Sequence, residues 1–491
     1  GNGLTPLFFA TILGRLEVAQ VLLADPRVDP NLRAHDGSPP LFAAVVNGHL
    51  GFVRALLSNK RIDVNARRED GSCAIIVACG KGYLDIVHAL LGDPRLNVNV
   101  QTGNGLTPLF FATILGRLEV VQVLLADSRV DPNRRAHNGS VPLIVASNEG
   151  RLSIVIAFLS DKRVDVNAQR EDGSCAITVA CAKGYLDIVH ALLADPRLNV
   201  NVQTNDGWTP LFLAAVLGHF EVVQVLLADP RVDPNLPTHD GCLPLIGASI
   251  DGRLSVVITL LADDRIDVNA RCDDGDCAII AASANGHLDV VCALLADERV
   301  EVNLRNNDGK TSLLSAAGAG HLDVVRVLLA DPRVDPNLPT NELETALIAA
   351  SKSNHPEVVR SILSHTAIDP NWKRQDGASS LIVACSKGHA EVVQTLMGDP
   401  RVDINARDRQ EQTALMAASA AYHPTILSAL LDHGADANAK DRNGSTALMP
   451  LARFRFHQWP QDISDDERRF WEDRHKQCLD ILLSHTNDPS S

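Results

Sequence analysis

The chain has 491 residues, with 45 Lys+Arg against 60 Asp+Glu for a net charge of −15, and it is 45% hydrophobic but only 4% aromatic. An acidic chain is poorly matched to a phosphate backbone, so nucleic acid is not an expected partner. Apolar runs such as TPLFFATIL at 5–13 fall short of the roughly 18 residues that a membrane span needs. Gly1 leads into its first motif with no basic or apolar leader, so no secretory signal is read.

At about 150 residues per domain the length suggests three globular units, but internal repetition changes that meaning. Asn/Asp-Gly pairs recur every 34 residues from Asn2-Gly3 through Asp36-Gly37, Asp70-Gly71 and Asn104-Gly105 to Asp308-Gly309. The phase continues through Glu342, Asp376-Gly377 and Gln410-Glu411, and one 33-residue step leads to Asn443-Gly444. Residues 1–442 therefore read as thirteen repeats, and 443–491 as a degenerate fourteenth.

Each repeat has the same local logic. The Asx-Gly pair makes a turn, since Gly tolerates positive φ and Asx bonds its own backbone. A short helix follows, with Thr5 as N-cap and Pro6 at the first helical position, where a missing N–H costs nothing. Gly14 ends it, and LEVAQVLLA at 16–24 forms a second helix that Asp25-Pro26 stops. RVDPNLRAH then reads as a β-hairpin arm leading to the next turn. One such unit cannot bury its own apolar faces, so neighbours must stack.

The frame T-P-L-x-x-A…G-H-L-E-V-V…L-L…D-x-N, fullest in TPLFLAAVLGHFEVVQVLLADPRVDPN at 209–235, resembles the ankyrin-repeat family. The resemblance implies an all-α repeat solenoid: helix-turn-helix units joined by β-hairpin loops in a curved superhelical array. Two departures stand out. The family's T-P-L-H histidine is replaced by Phe8, Phe42, Ile76, Phe110, Ile144, Thr178, Phe212, Ile246, Ile280, Leu314, Ile348, Ile382 and Met416, so apolar packing is expected to substitute for its hydrogen bond. The hairpin entry is one residue longer than the family's G-A-D-x-N, which only the 33-residue unit keeps, as Gly434 to Asn438.

A longer period overlies the first. Residues 2–103 and 104–205 agree at 80 of 102 positions, and 15 of the 22 differences fall in the middle repeat, the mark of a duplicated three-repeat block. At the C-terminus, RFRFHQWPQDI is inserted and Ser464-Asp465-Asp466-Glu467 forms a capping-box pattern ahead of a helix. Five aromatics, Phe454, Phe456, Trp459, Phe470 and Trp471, are expected to seal the last layer as a cap.

No motif points to catalysis, so no catalytic residue is assigned and no enzymatic activity or cofactor is expected; repeated carboxylates form a ladder rather than a converging pair. The ten cysteines lie mostly in equivalent helix slots and read as small interior residues of a reducing, intracellular protein, cytoplasmic or nuclear. Cys272, Cys277, His287 and Cys292 come nearest to a metal set, yet their helix positions are expected to point differently, and packing is the preferred reading. Arg27, Arg61, Arg95, Arg129, Arg163, Arg197, Arg231, Arg265, Arg299, Arg333 and Arg401 share one slot, usually two residues before Asp or a substitute such as Asn97 or Glu301. An anion track is one reading; pairing with carboxylates or helix-end carbonyls of neighbouring units is preferred.

The resemblance implies a protein-binding scaffold whose contacts come from hairpin tips and the ends of first helices. Those positions are Ile12, Leu13, Val46, Asn47, Lys81, Ile114, Leu115, Asn148, Glu149, Lys183, Val216, Leu217, Ile250 and Asp251, with Trp208 as the best exposed anchor. The Ile/Val-Leu pair returns every third repeat. Two alternatives remain open at this point: a self-assembling filament or coat built from near-identical blocks, or the targeting arm of a larger protein with an upstream effector.

Overall fold

The computed structural model of the chain describes residues 5–452 and 465–486. It divides into two units, Gly1–His239 and Asp240–Ser491. Among the described residues every regular element is a helix, and the only strand-like pairing is an isolated bridge between Arg67 and Cys73. The first unit holds seven helix pairs, from Pro6–Ile12 with Leu16–Ala24 to Pro210–Leu217 with Phe220–Ala228. The second holds six, from Pro244–Ile250 with Leu254–Leu261 to Ala414–Ala420 with Pro424–Asp432, followed by Met449–Ala452 and Asp465–Thr486.

The fourth repeat shows why these residues fold so. Thr107 is extended and its side chain accepts from the Phe110 N–H at 3.3 Å, while Pro108 opens the helix Pro108–Ile114. Gly116 turns the chain at φ +70°, and the Arg117 N–H closes onto the Ala112 carbonyl at 2.8 Å. The second helix, Leu118–Ala126, buries Val120, Val121 and Leu124 between the pairs, each contributing about 1.5–3 kcal/mol of apolar burial. Stacking supplies this burial: first helices pack on first helices and second on second from one repeat to the next within each unit.

The slot that replaces the expected histidine is buried throughout: Phe110 is 0% exposed and even Phe212 only 8%. Its one polar occupant, Thr178, turns its hydroxyl to its own helix cap, accepting from the Cys175 N–H at 2.8 Å and donating to the Cys175 carbonyl at 2.9 Å. The hairpin arms differ from expectation in form. Their tips close as turns, with the Ala136 N–H on the Ser140 carbonyl at 2.9 Å and the Gly139 N–H on the Ala136 carbonyl at 3.0 Å. Paired strands do not extend from them, because the arm's bonding capacity goes sideways to the next repeat. In that sideways ladder Asn133 donates from Nδ2 to the Arg163 carbonyl at 2.7 Å, and its Oδ1 accepts from the Asp165 N–H at 2.8 Å.

Near the C-terminus, the helix Asp465–Thr486 packs against Pro424–Asp432, burying Cys478 and Leu482. Trp471 meets the Tyr422 ring edge-on at 6.2 Å between centroids. Phe470 is half-exposed rather than sealed. Phe454, Phe456, Trp459 and Ser464 lie outside the described residues, as does the Asn2-Gly3 turn.

Candidate functional site

The first helices of the N-terminal unit end in a row. Each stops because Gly, or a residue just before a positive-φ Gly, cannot continue it, so the last helical residue and its cap project from the turn. Ile12 and Leu13, Val46 and Asn47, Lys81, Ile114 and Leu115, Asn148 and Glu149, Lys183, and Val216 and Leu217 all fall at these ends. Leu13 is 57% exposed, Leu115 48% and Leu217 44%, large values for leucines; Ile114 and Val216 beside them are half-buried, as is Val46. Part of Leu115 rests on the preceding repeat, since a Cβ added at Gly80 would meet its Cδ1 at 3.3 Å.

Not every polar member of the row is available in the same way. Lys81 donates from Nζ to the Val46 carbonyl at 2.9 Å and lies 5.7 Å from the Tyr83 ring centroid, so its charge caps the neighbouring helix end. Asn47 folds back to the Ala43 carbonyl at 2.8 Å. Glu149 accepts from Asn148 Nδ2 at 3.1 Å, and Glu149 and Lys183 are both exposed. Trp208 is 42% exposed in the turn slot after Gly207, with one side against Phe212 at 6.0 Å between ring centroids. An aromatic held on one side and open on the other is pre-organised for contact.

The arginine row is structural. Arg129 donates from Nε and Nη2 to the Asp127 carboxylate at 3.0 and 2.6 Å, and from Nη2 to the Leu91 carbonyl at the end of the preceding repeat's second helix at 2.6 Å. Arg163, Arg197 and Arg231 repeat this, reaching the Leu125, Leu159 and Leu193 carbonyls. Arg61, whose acid is replaced by Asn59, gives its guanidinium wholly to carbonyls of the repeat before it. The hydrogen bonds from Arg129 hold the Asp127 carboxyl below the usual carboxylate range, and Arg197 does the same for Asp195. A row whose donors are already engaged is not an open anion track.

The cysteines also separate. Cys73, Cys79, Cys175, Cys181, Cys277 and Cys385 are buried, and burial raises the thiol pKa of each. Cys277 is buried while Cys292 is exposed, so the two members of the nearest metal-like set face different surroundings. Among the described residues no three His, Cys, Asp or Glu side chains gather as a metal would need. Two features were not visible in sequence. Asn side chains form the sideways ladder, whose signal is Asn recurring two residues after Asp or Asn, or once after Glu301, in each arm. Val18 is 50% exposed where its copy Val120 is 2%, because the third repeat's helices cover Val120 and no described element covers Val18.

The ankyrin-repeat family model, three copies long, matches in overlapping stretches from 1–68 and 41–136 through 245–340 to 332–408 and 381–457. The chain belongs to the ankyrin-repeat family. Among solved structures it is similar to the ankyrin repeat domain of Bcl-3, of the IκB protein family, with 26% identity and a TM-score of 0.43 over 47% of this chain and 100% of that one. No curated protein matches the chain at a significant level. Among the described residues no helix is long and apolar enough to cross a membrane.

Proposed function

We propose that the chain is a non-enzymatic scaffold that holds a partner protein against the first-helix ends of its N-terminal unit. Ankyrin repeats are in general protein-interaction modules, and the observation that carries this finer reading is the recurrence of an exposed leucine, Leu13, Leu115 and Leu217, at the equivalent first-helix end every 102 residues. Half-exposed leucines at helix ends gain more from a partner than from their own fold. Ile12, Ile114 and Val216 extend each step, Trp208 anchors the turn side, and Asn47, Lys81, Glu149 and Lys183 form a polar rim between steps. An intracellular, reducing compartment suits a chain whose cysteines lie mostly buried in equivalent helix slots.

The test is affinity capture from native lysate with identification by mass spectrometry, followed by titration of the captured protein against variants. Trp208→Ala and the Leu115→Ala/Leu217→Ala pair are each expected to weaken binding by about 2 kcal/mol, roughly thirtyfold. Ile258→Ala, on an exposed second-helix position, is the control expected to leave binding unchanged. Equal affinity for all four proteins removes this surface from consideration.

A further inference from the structure

Cys242 and Cys272 occupy two turn slots that hold cysteine in no other repeat. Cys242 follows the Asp240-Gly241 turn, where other repeats place Ser38, Ser72, Ser140, Ser174, Asp276 or Lys310. Cys272 opens the next repeat's turn, where others place Thr102, Ala136, Thr204 or Asn306. The two slots adjoin. The Asp273 N–H donates to the Asp240 carbonyl at 3.1 Å, tying turn to turn beside both cysteines. One repeat further on, the same slots carry Asn306 and Asp276, whose side chains bond at 2.8 Å. Cys242 Sγ itself donates to the Leu243 carbonyl at 3.9 Å, so the adjacency of the two cysteines rests on the tie between their turns and on the side-chain contact that the equivalent pair makes. Cys242 is buried and Cys272 half-buried, so the pair is reached from the Cys272 side.

We propose that Cys242 and Cys272 are a redox modification site, at which hydrogen peroxide converts the two thiols into a disulfide that staples adjacent turns. Interaction between the neighbouring thiols holds Cys242 below the ordinary thiol range and lifts Cys272, so Cys242 ionises first, while Asp240, Asp274 and Asp276 oppose ionisation of the pair. The first thiolate attacks one peroxide oxygen, the O–O bond breaks, and hydroxide leaves a sulfenic acid. The second sulfur, giving up its proton, attacks that sulfur; the S–S bond forms and the S–O bond breaks as a second hydroxide departs. The two hydroxides take up the two thiol protons. In sum, two thiols are oxidised by two electrons and one peroxide is reduced to two waters.

The test uses the full chain, folded and reduced, treated with hydrogen peroxide, alkylated in denaturant and digested without reductant for peptide mass mapping. The expected result is a Cys242–Cys272 linked peptide, lost on adding dithiothreitol, with two of the ten thiols withdrawn from alkylation. Cys242→Ser and Cys272→Thr use residues that other repeats place in these slots, and each is expected to abolish the link. Failure to find the linked peptide at a dose that oxidises the exposed Cys292 overturns the proposal. So does a link that forms equally fast in the chain unfolded in urea, because the fold would then contribute nothing.

Discussion

Arg129 and Leu91 are joined across 38 residues by a 2.6 Å hydrogen bond from a guanidinium to the carbonyl that ends the preceding repeat's second helix. The same guanidinium holds Asp127, which in turn accepts from the Arg129 backbone N–H at 3.0 Å. One side chain thereby closes its own loop and caps its neighbour's helix, where the helix dipole also favours a cation. The contact repeats along each unit, which makes it a seam between layers rather than a surface decoration.

Replacing Arg129 with Ala is expected to lower stability by about 1–2 kcal/mol, since charge-assisted bonds to a half-exposed side chain are lost and the Leu91 carbonyl must find water. Arg129→Lys is expected to recover less than half, because an ammonium cannot serve the carboxylate and the carbonyl in one plane. Urea unfolding midpoints for the three proteins measure both effects. Identical midpoints would show that the seam contributes nothing.

The seam also sets a pH dependence. Asp93, Asp127, Asp161, Asp195, Asp229, Asp263, Asp297, Asp331 and Asp399 are all held below the usual carboxylate range, first by hydrogen bonds from the paired arginine. A carboxyl depressed in the folded state binds fewer protons there than when unfolded, so its contribution is complete above the unfolded value of about 3.9 and is lost as pH falls through the lower folded one. The unfolding midpoint is therefore expected to drop steeply below about pH 4. Asp195→Asn should make that drop shallower while lowering the plateau at neutral pH. An unchanged slope in this variant would assign the acid transition to other carboxyls.

Much of this architecture is legible in the chain before any coordinates. The Asx-Gly interval sets the layer, Thr107-Pro108 the helix start, and Gly116 its end. What stayed hidden depends on contacts between equivalent slots of neighbouring repeats, which are 30 to 38 residues apart and leave no local pattern. Lys81 illustrates this. Its sequence position marks a first-helix end, but only stacking shows that the Val46 carbonyl takes its ammonium. The hairpin arms keep their turns but, among the described residues, form no regular strands for the same reason, since β-like composition in RVDPN serves a sideways Asn ladder. The exposed leucines of the candidate surface were legible because a helix end before a turn glycine projects whatever residue occupies it.

Gly80 and Gly184 offer a matched pair of alanine substitutions. Gly184 sits at φ +71°, and a Cβ there would lie 2.6 Å from His219 Nδ1 of the next repeat. Gly184→Ala is expected to cost about 1–3 kcal/mol through backbone strain, with displacement of the His219 ring adding to it. Gly80 is helical, and its copy in the duplicated block is Ala182. Gly80→Ala is expected to be neutral or stabilising by up to about 1 kcal/mol, because helix propensity rises while Leu115 needs to give only a little. Thermal unfolding separates the two, and equal losses would mean that the positive-φ turn carries no special demand.

Leu482 tests whether the last long helix seals the C-terminal unit. It is fully buried on Asp465–Thr486 beside Cys478, against the helix Pro424–Asp432, with Tyr422 gripped nearby by Trp471 at 6.2 Å and His475 at 5.8 Å between ring centroids. In a solenoid each layer is stabilised chiefly by its neighbours, so damage at an end should open that end first. Leu482→Ala is expected to cost about 2–5 kcal/mol locally. Amide exchange should accelerate in Pro424–Asp432 and Ala414–Ala420 while Pro244–Ile250 keeps its protection. Uniform acceleration across the unit would show that it unfolds as a single block and that the helix is part of a common core rather than a separable end layer.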